Sequence, residues 1–281
     1  MRLILMLVLA LLAIVAGGVG TGLWREAQVA RKASAALLAD AGRAPAAVSP
    51  ADAKLPPPVA RYLQRALGDT PRSIRVARLS QSGELRTSVK ARTWTDFSAE
   101  QLVVPAAPGF VWHARVAMPL GAHVRVLDSY VGGVGAGRVS VMSAMASTAE
   151  AAAPELNSGA LHRYLAEAVW YPTALLPQAG VRWSPISERA ALATLEDRGT
   201  TVELEFRFDE AGDVVAVHSP GRWGRFDGGY RQVGWEGRFK DHRVVDGVRV
   251  PGYGEVGWYE GRIWQPVWRG RLGQIRFEFA P

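Results

Sequence analysis

Beyond residue 80, apolar and polar positions alternate along much of the chain. Leu85, Thr87 and Val89 interleave with Glu84, Arg86, Ser88 and Lys90. Phe110, Trp112, Ala114, Val116 and Met118 interleave with Val111, His113, Arg115 and Ala117. The same period recurs in Val202, Leu204, Phe206 and Phe208, in Val233, Trp235 and Phe239, and in Ile275, Phe277 and Phe279. A period of two sends successive side chains to opposite faces of a pleat, so each segment predicts a strand with one apolar and one wet face. Residues 209–213 (Asp-Glu-Ala-Gly-Asp) and Asp246-Gly247 form turns between such runs. Turns this short join antiparallel neighbours. The pattern predicts a mainly β, α+β fold built on one large antiparallel sheet, curved or rolled into a half-barrel.

Two stretches carry helical spacing instead. Val59, Tyr62, Leu63, Ala66 and Leu67 follow a run of three prolines and stop at Gly68. Ser158 is suited to cap a second helix reaching Trp170, with an apolar stripe of Leu161, Tyr164, Leu165 and Ala168 and a stop at Tyr171-Pro172. Helices of this kind are expected to cover the concave side of the sheet.

The N-terminus reads differently. No residue from Leu3 to Trp24 is charged, and such a helix reaches roughly 33 Å, enough to cross a bilayer core of about 30 Å. The run exceeds the apolar region of a signal peptide, so an uncleaved anchor is expected; glycines at 17, 18, 20 and 22 leave a cleaved signal as the alternative. The basic residues on its two sides nearly balance, and the basic start favours a domain outside the cytoplasm. Residues 1–24 are therefore assigned to a transmembrane anchor in the cytoplasmic (inner) membrane. Residues 25–54 form a helical stalk and linker, and 55–281 a single β-rich domain.

Composition narrows the chemistry. The formal charge of +7 comes almost entirely from arginine, scattered among Asp and Glu without a run of like charge, so no nucleic acid is expected as a partner. Cysteine is absent, which excludes disulfides, thiolate metal sites and cysteine nucleophiles. The five histidines (His113, His123, His162, His218 and His242) share no metal-binding spacing. Gly132–Gly137 lacks the strand-loop-helix context of a phosphate loop and reads as a hairpin connection. No catalytic residue, metal or cofactor is expected.

The stretch from Arg163 to Thr173 stands apart. Arg163 and Glu167 share a helix face, either as a surface ion pair worth under about 1 kcal/mol or as a buried pair at a cavity mouth orienting a polar head group. Tyr164 and Trp170 make the setting aromatic. Of ten tryptophans, five (Trp223, Trp235, Trp258, Trp264 and Trp268) fall in the last sixty residues. Most of these are expected in packing, but a concave sheet lined with Trp, Phe, Val and Met would also suit acyl chains.

The block Arg163-Tyr164-Leu165, Glu167, Trp170-Tyr171-Pro172-Thr173, with Leu175-Leu176, Val181, Trp183 and the Phe208-Asp209 turn ending at Gly212, resembles the signature of an uncharacterised bacterial family of membrane-anchored proteins. The resemblance runs from about Leu55 to the C-terminus. It implies a fold similar to the periplasmic lipoprotein carriers, an incomplete antiparallel barrel closed by helices over an apolar cavity, and carries no established functional residues. The leading expectation is a membrane-tethered extracytoplasmic module binding a lipid or other apolar ligand through Arg163, Tyr164, Glu167, Trp170 and Trp112. The alternatives are a structural or interaction protein of the cell envelope and a hydrolase using Glu167.

Overall fold

The computed structural model describes residues 2–41, 54–69, 71–119, 122–141, 145–227 and 229–281, with side chains except those of 2–16, 19 and 145–148. Nearly all of the expected linker, Gly42 to Lys54, lies outside these residues. Three helices are described: α1 (Arg2–Ala39), α2 (Pro57–Leu67) and α3 (Pro154–Glu167). The first strands are β1 (Ile74–Leu85), β2 (Thr95–Val104), β3 (Gly109–Ala117), β4 (His123–Val131), β5 (Val134–Val141) and β6 (Met145–Ala151). After α3 come β7 (Val181–Ser187), β8 (Ala190–Asp197), β9 (Thr200–Phe208), β10 (Val214–Phe226), β11 (Gly229–Val245), β12 (Val248–Glu260) and β13 (Ile263–Phe279).

All thirteen strands pair antiparallel in one sheet, ordered β6-β5-β4-β3-β2-β1-β13-β12-β11-β10-β9-β8-β7. Each half of the chain makes a meander, and β13 joins β1 at the centre, with Ala77 opposite Phe277. The free edges are β6 and β7. The segment between them in sequence, α3 followed by three 3₁₀ turns over 168–179, has to travel from one edge to the other. It does so across the concave face, where α3 touches β4 and β5 of one arm and β9 and β10 of the other. The sheet is curved but unclosed. The two arms also meet through side chains: Tyr130 donates to Asp197 at 2.8 Å, Tyr230 donates to Glu150 at 2.5 Å, and Arg225 pairs with Glu150.

The main core lies between the concave face and the helices. Leu161, Tyr164, Leu165 and Ala168 of the α3 segment are buried there, as are Val59, Tyr62 and Leu63 of α2. A smaller core lies on the convex side, where Leu37 and Ala41 pack on Val76, Leu102, Val104, Val111 and Leu127. Glu26 of α1 is buried and accepts a 2.7 Å bond from Arg138. Val111, expected on the wet face, is therefore covered by α1 and buried. Among the described residues no helix is long and apolar enough to cross a membrane; the side chains of residues 2–16, which supply most of the expected span, are outside the description.

Two local expectations are corrected. The alternation over 84–90 does not continue as a strand past Leu85. Arg86 bonds the carbonyls of Ala91 and Pro266 through its guanidinium, which folds 86–94 back as a loop. The helix expected to begin at Ser158 begins at Pro154, with Ala153 at its N-cap. Proline is pre-set for the first helical turn, where no N–H is needed.

A row of glycines crosses the sheet's centre. Gly83, Gly270 and Gly254 are mutual neighbours on β1, β13 and β12, with Phe97 and Phe239 beyond them. A Cβ on Gly270 would lie 2.6 Å from the Trp268 ring, and one on Gly254 would lie 3.3 Å from Trp170. Absent side chains on the inner face make room for indoles.

At the other end of the molecule, Asp213 ties α2 to the sheet. It is 5% exposed and accepts two bonds from Arg249, at 2.8 and 2.7 Å, and one from Arg65 at 3.1 Å. Its turn needs Gly212 at φ +90°, a conformation that favours glycine. Burial alone would raise the Asp213 pKa, but the bonds from Arg249 and Arg65 and the charge of His242 hold it down at about 2. A carboxylate depressed on folding stabilises the folded state above its unfolded pKa, 3.8, and loses that contribution as pH falls through about 2. Asp213→Asn is expected to lower the unfolding free energy at neutral pH by about 2 kcal/mol and to flatten the stability profile between pH 4 and 2. Urea denaturation across that range reads both effects.

Candidate functional site

The helices do not fill the space inside the curve. A cavity of about 610 Å³ remains between α3 and the inner faces of both arms. A second, of about 310 Å³, lies in the seam where the arms approach without pairing. Asp128, Val139, Arg163, Arg222 and Trp258 line both, so the two chambers adjoin at these residues. The larger one opens at the sheet's rim beside Thr87 and Met118, both exposed.

Its wall is aromatic and aliphatic. Trp112, Trp170, Trp235, Trp258, Trp268 and Phe239 all face it. Trp170 meets Phe239 edge-on at 6.2 Å and Trp268 at 6.4 Å, while Phe97 backs Trp268 at 5.5 Å and Trp112 at 6.1 Å. Of the five late tryptophans, Trp235, Trp258 and Trp268 line the large chamber, Trp223 lines the seam, and Trp264 lies under Arg238.

A polar chain runs along one side of this wall. Trp112 donates its indole N–H to Gln81 Oε1 at 2.8 Å, and Gln81 Nε2 donates to Gln101 Oε1 at 2.8 Å. Gln101 Nε2 donates to Glu167 Oε2 at 2.6 Å. Arg163 donates from Nε to Glu167 Oε1 at 2.8 Å and from Nη1 to Asp128 Oδ2 at 3.1 Å. Strand register explains the assembly: Gln101 is opposite Trp112 on β2 and β3, and Trp112 is opposite Asp128 on β4. The Arg163 guanidinium also lies over the rings of Phe110 and Trp112, at 4.9 and 4.7 Å.

The helix supplies its share by spacing. Arg163, Ala166, Glu167 and Trp170 all line the cavity, and their intervals of three, four and seven define one helical stripe. Tyr164 is one position out of that stripe and turns away. Its ring packs 5.6 Å from Tyr171 and its hydroxyl donates to Pro105 O at 2.8 Å. Of the five residues expected at the site, four face the cavity; Tyr164 belongs to the core.

Arg222 was not anticipated. It enters from a bulge in β10, where Ser219 opposes Trp235 but Arg222 opposes Val233, one residue too many for regular pairing. Its guanidinium lies 4.9 Å from the Trp235 ring and 5.2 Å from that of Trp258.

The charges respond to this setting. Burial pushes the Asp128 carboxyl above its ordinary range, an effect the Arg163 charge partly offsets. Burial opposes the charge on Arg163, but Glu167 and Asp128 outweigh it and hold that guanidinium firmly protonated. Arg222 is pushed down to about 10 by burial and by the Arg163 charge. Asp128 keeps 39% of its side-chain surface accessible despite its depth; that surface is cavity wall. Among the described residues no three metal-ligating side chains come together.

No curated protein matches the chain. Among solved structures it is similar to a LolA superfamily protein from Nitrosomonas europaea, at 11% identity and a TM-score of 0.42, over 84% of this chain and 96% of that one. It is also similar to a beta-barrel-like protein of a domain of unknown function, DUF1849, from Brucella abortus, at 13% identity and a TM-score of 0.23, over 74% of this chain and 99% of that one. A family model matches residues 46–270, and the chain belongs to that family, DUF6544, a family of unknown function.

Proposed function

We propose that this protein holds a lipid or other apolar ligand inside its curved sheet while tethered by a single N-terminal span in the cytoplasmic membrane, with its domain on the extracytoplasmic side. The observation that carries the reading is the 610 Å³ chamber walled by indoles and aliphatic side chains. That volume falls within the range of known small-molecule sites, which are mostly apolar with a few convergent polar groups. Each methylene moved from water into such a wall contributes about 0.8 kcal/mol, so retention needs no reaction. Glu167, the residue a hydrolase would use, has both oxygens engaged, by Arg163 and by Gln101, and acts here as a brace.

The tether rests on the uncharged run from Leu3 to Trp24. Two further features support it. α1 continues without a break to Ala39 and docks on the convex face, and Leu23 and Trp24 stand exposed where it leaves the domain. Tryptophan at such a position suits a membrane–water boundary.

Two measurements test the reading. Delipidated protein is expected to take up a fluorescent fatty acid saturably. Val126→Trp or Val256→Trp, each narrowing the chamber from an opposite arm, should weaken uptake about tenfold or more with the fold intact by circular dichroism. Unsaturable uptake, or unchanged uptake in both variants, would refute the cavity as the site. For the address, a C-terminal alkaline phosphatase fusion is expected to be active in intact cells, and a fusion to green fluorescent protein exported by the same route to be dark; the reverse pattern places the domain in the cytoplasm.

A further inference from the structure

Arg222 is the member of the polar cluster whose charge has no carboxylate in contact among the described residues. Its guanidinium donates from Nη2 to Gly159 O at 2.8 Å, and its Nε–H finds no acceptor. Both nearby carboxylates, Asp128 and Glu167, are engaged by Arg163 instead. The side chain is enclosed by protein yet retains some accessible surface, and that surface faces the two chambers it lines. Asp128 and Glu167 favour its charge only at a distance, against burial and the repulsion of Arg163, and a buried cation with no contacting counter-ion is unfavourable.

The backbone is arranged to put it there. Val217, Ser219 and Trp235 mark the inner face, and in an unbroken alternation residue 221 would follow them inward. The extra residue of the bulge exchanges the faces, so Arg222 turns in. The paired indoles of Trp235 and Trp258, opposite each other on β11 and β12, then hold the guanidinium plane by cation–π contact. The bulge and the cation–π contacts both bring the guanidinium to the junction of the chambers.

We infer that Arg222, with Arg163 beside it, is the head-group site for an anionic amphiphile, a single-chain carboxylate or phosphate whose tail lies in the larger chamber. This rests on the apolar-ligand reading above and goes beyond it by naming the charge and the place of the head. A planar guanidinium can grip either oxyanion with two parallel donors.

The test uses the delipidated full-length protein and three probes of one chain length: laurate, dodecyl phosphate and dodecanol. Wild type is expected to bind at least one of the two anions about tenfold or more tightly than the alcohol; which anion leads tells carboxylate from phosphate. Arg222→Gln should erase that preference, weakening the favoured anion about tenfold more than dodecanol, and Arg222→Lys should retain part of it. Equal binding of all three probes by wild type overturns the head-group site but spares the cavity. Anion preference that survives Arg222→Gln overturns the assignment to Arg222. Binding of none of them overturns the ligand reading itself. The wild-type comparison stands even if a variant fails to fold.

Discussion

The structure depends on how a twisted sheet deals with its own inner face. Strands coil, and thirteen of them in one antiparallel sheet must curl round until their apolar sides confront one another. Closing the curl would bury those sides on each other; here the edges β6 and β7 never pair. α3 and the turns after it are drawn across the gap because they connect those edges in sequence. They cover part of the inner face, and the glycine row at the centre removes side chains from another part. The chamber is what remains. It comes from topology and curvature, and no single residue scoops it out.

Within that chamber the polar chain from Trp112 to Asp128 is consistent with ordinary folding energetics. Every link has a partner at hydrogen-bond distance, and a buried network that is satisfied throughout rigidifies its surroundings. It braces α3 against β1, β2 and β4 of the N-terminal arm. On the facing arm Arg222 breaks the pattern, being held by stacking and one carbonyl. Among the described residues, Trp170 Nε1 and Arg86 Nε on the chamber wall also lack partners, but Arg222 alone of the three stands at the junction of both chambers.

Much of the architecture was readable from side-chain period. The alternations of β3, β9, β11 and β13, the turns at 209–213 and Asp246-Gly247, and α2 with its stop at Gly68 follow from local rules that tertiary packing reinforced. The alternation over 84–90 misled because a loop pinned by Arg86 can carry the same pattern as a strand. The cover of Val111 by α1 was illegible, since nothing in the strand itself says what lies across from its outer face. For the site, the stripe of Arg163, Glu167 and Trp170 follows from helical spacing, whereas Tyr164 was drawn in by sequence proximity alone. Gln81, Gln101 and Asp128 did leave a trace: each is a polar residue at an inner position of an alternating run. Arg222 left less, because the bulge reverses the alternation just before it, and Pro220-Gly221 is the only punctuation.

The position of β13 bears on how the chain is made. Of the thirteen described strands, the one latest in sequence occupies the middle, between β1 and β12. Until it emerges there are two separate half-sheets, each with a long bare flank, and the register of Ala77 with Phe277 spans some two hundred residues. Contacts so distant along the chain form slowly, and unpaired flanks are prone to stick to one another meanwhile. β13 is therefore the keystone: a nascent chain stopped short of residue 263 would have two wings and no spine.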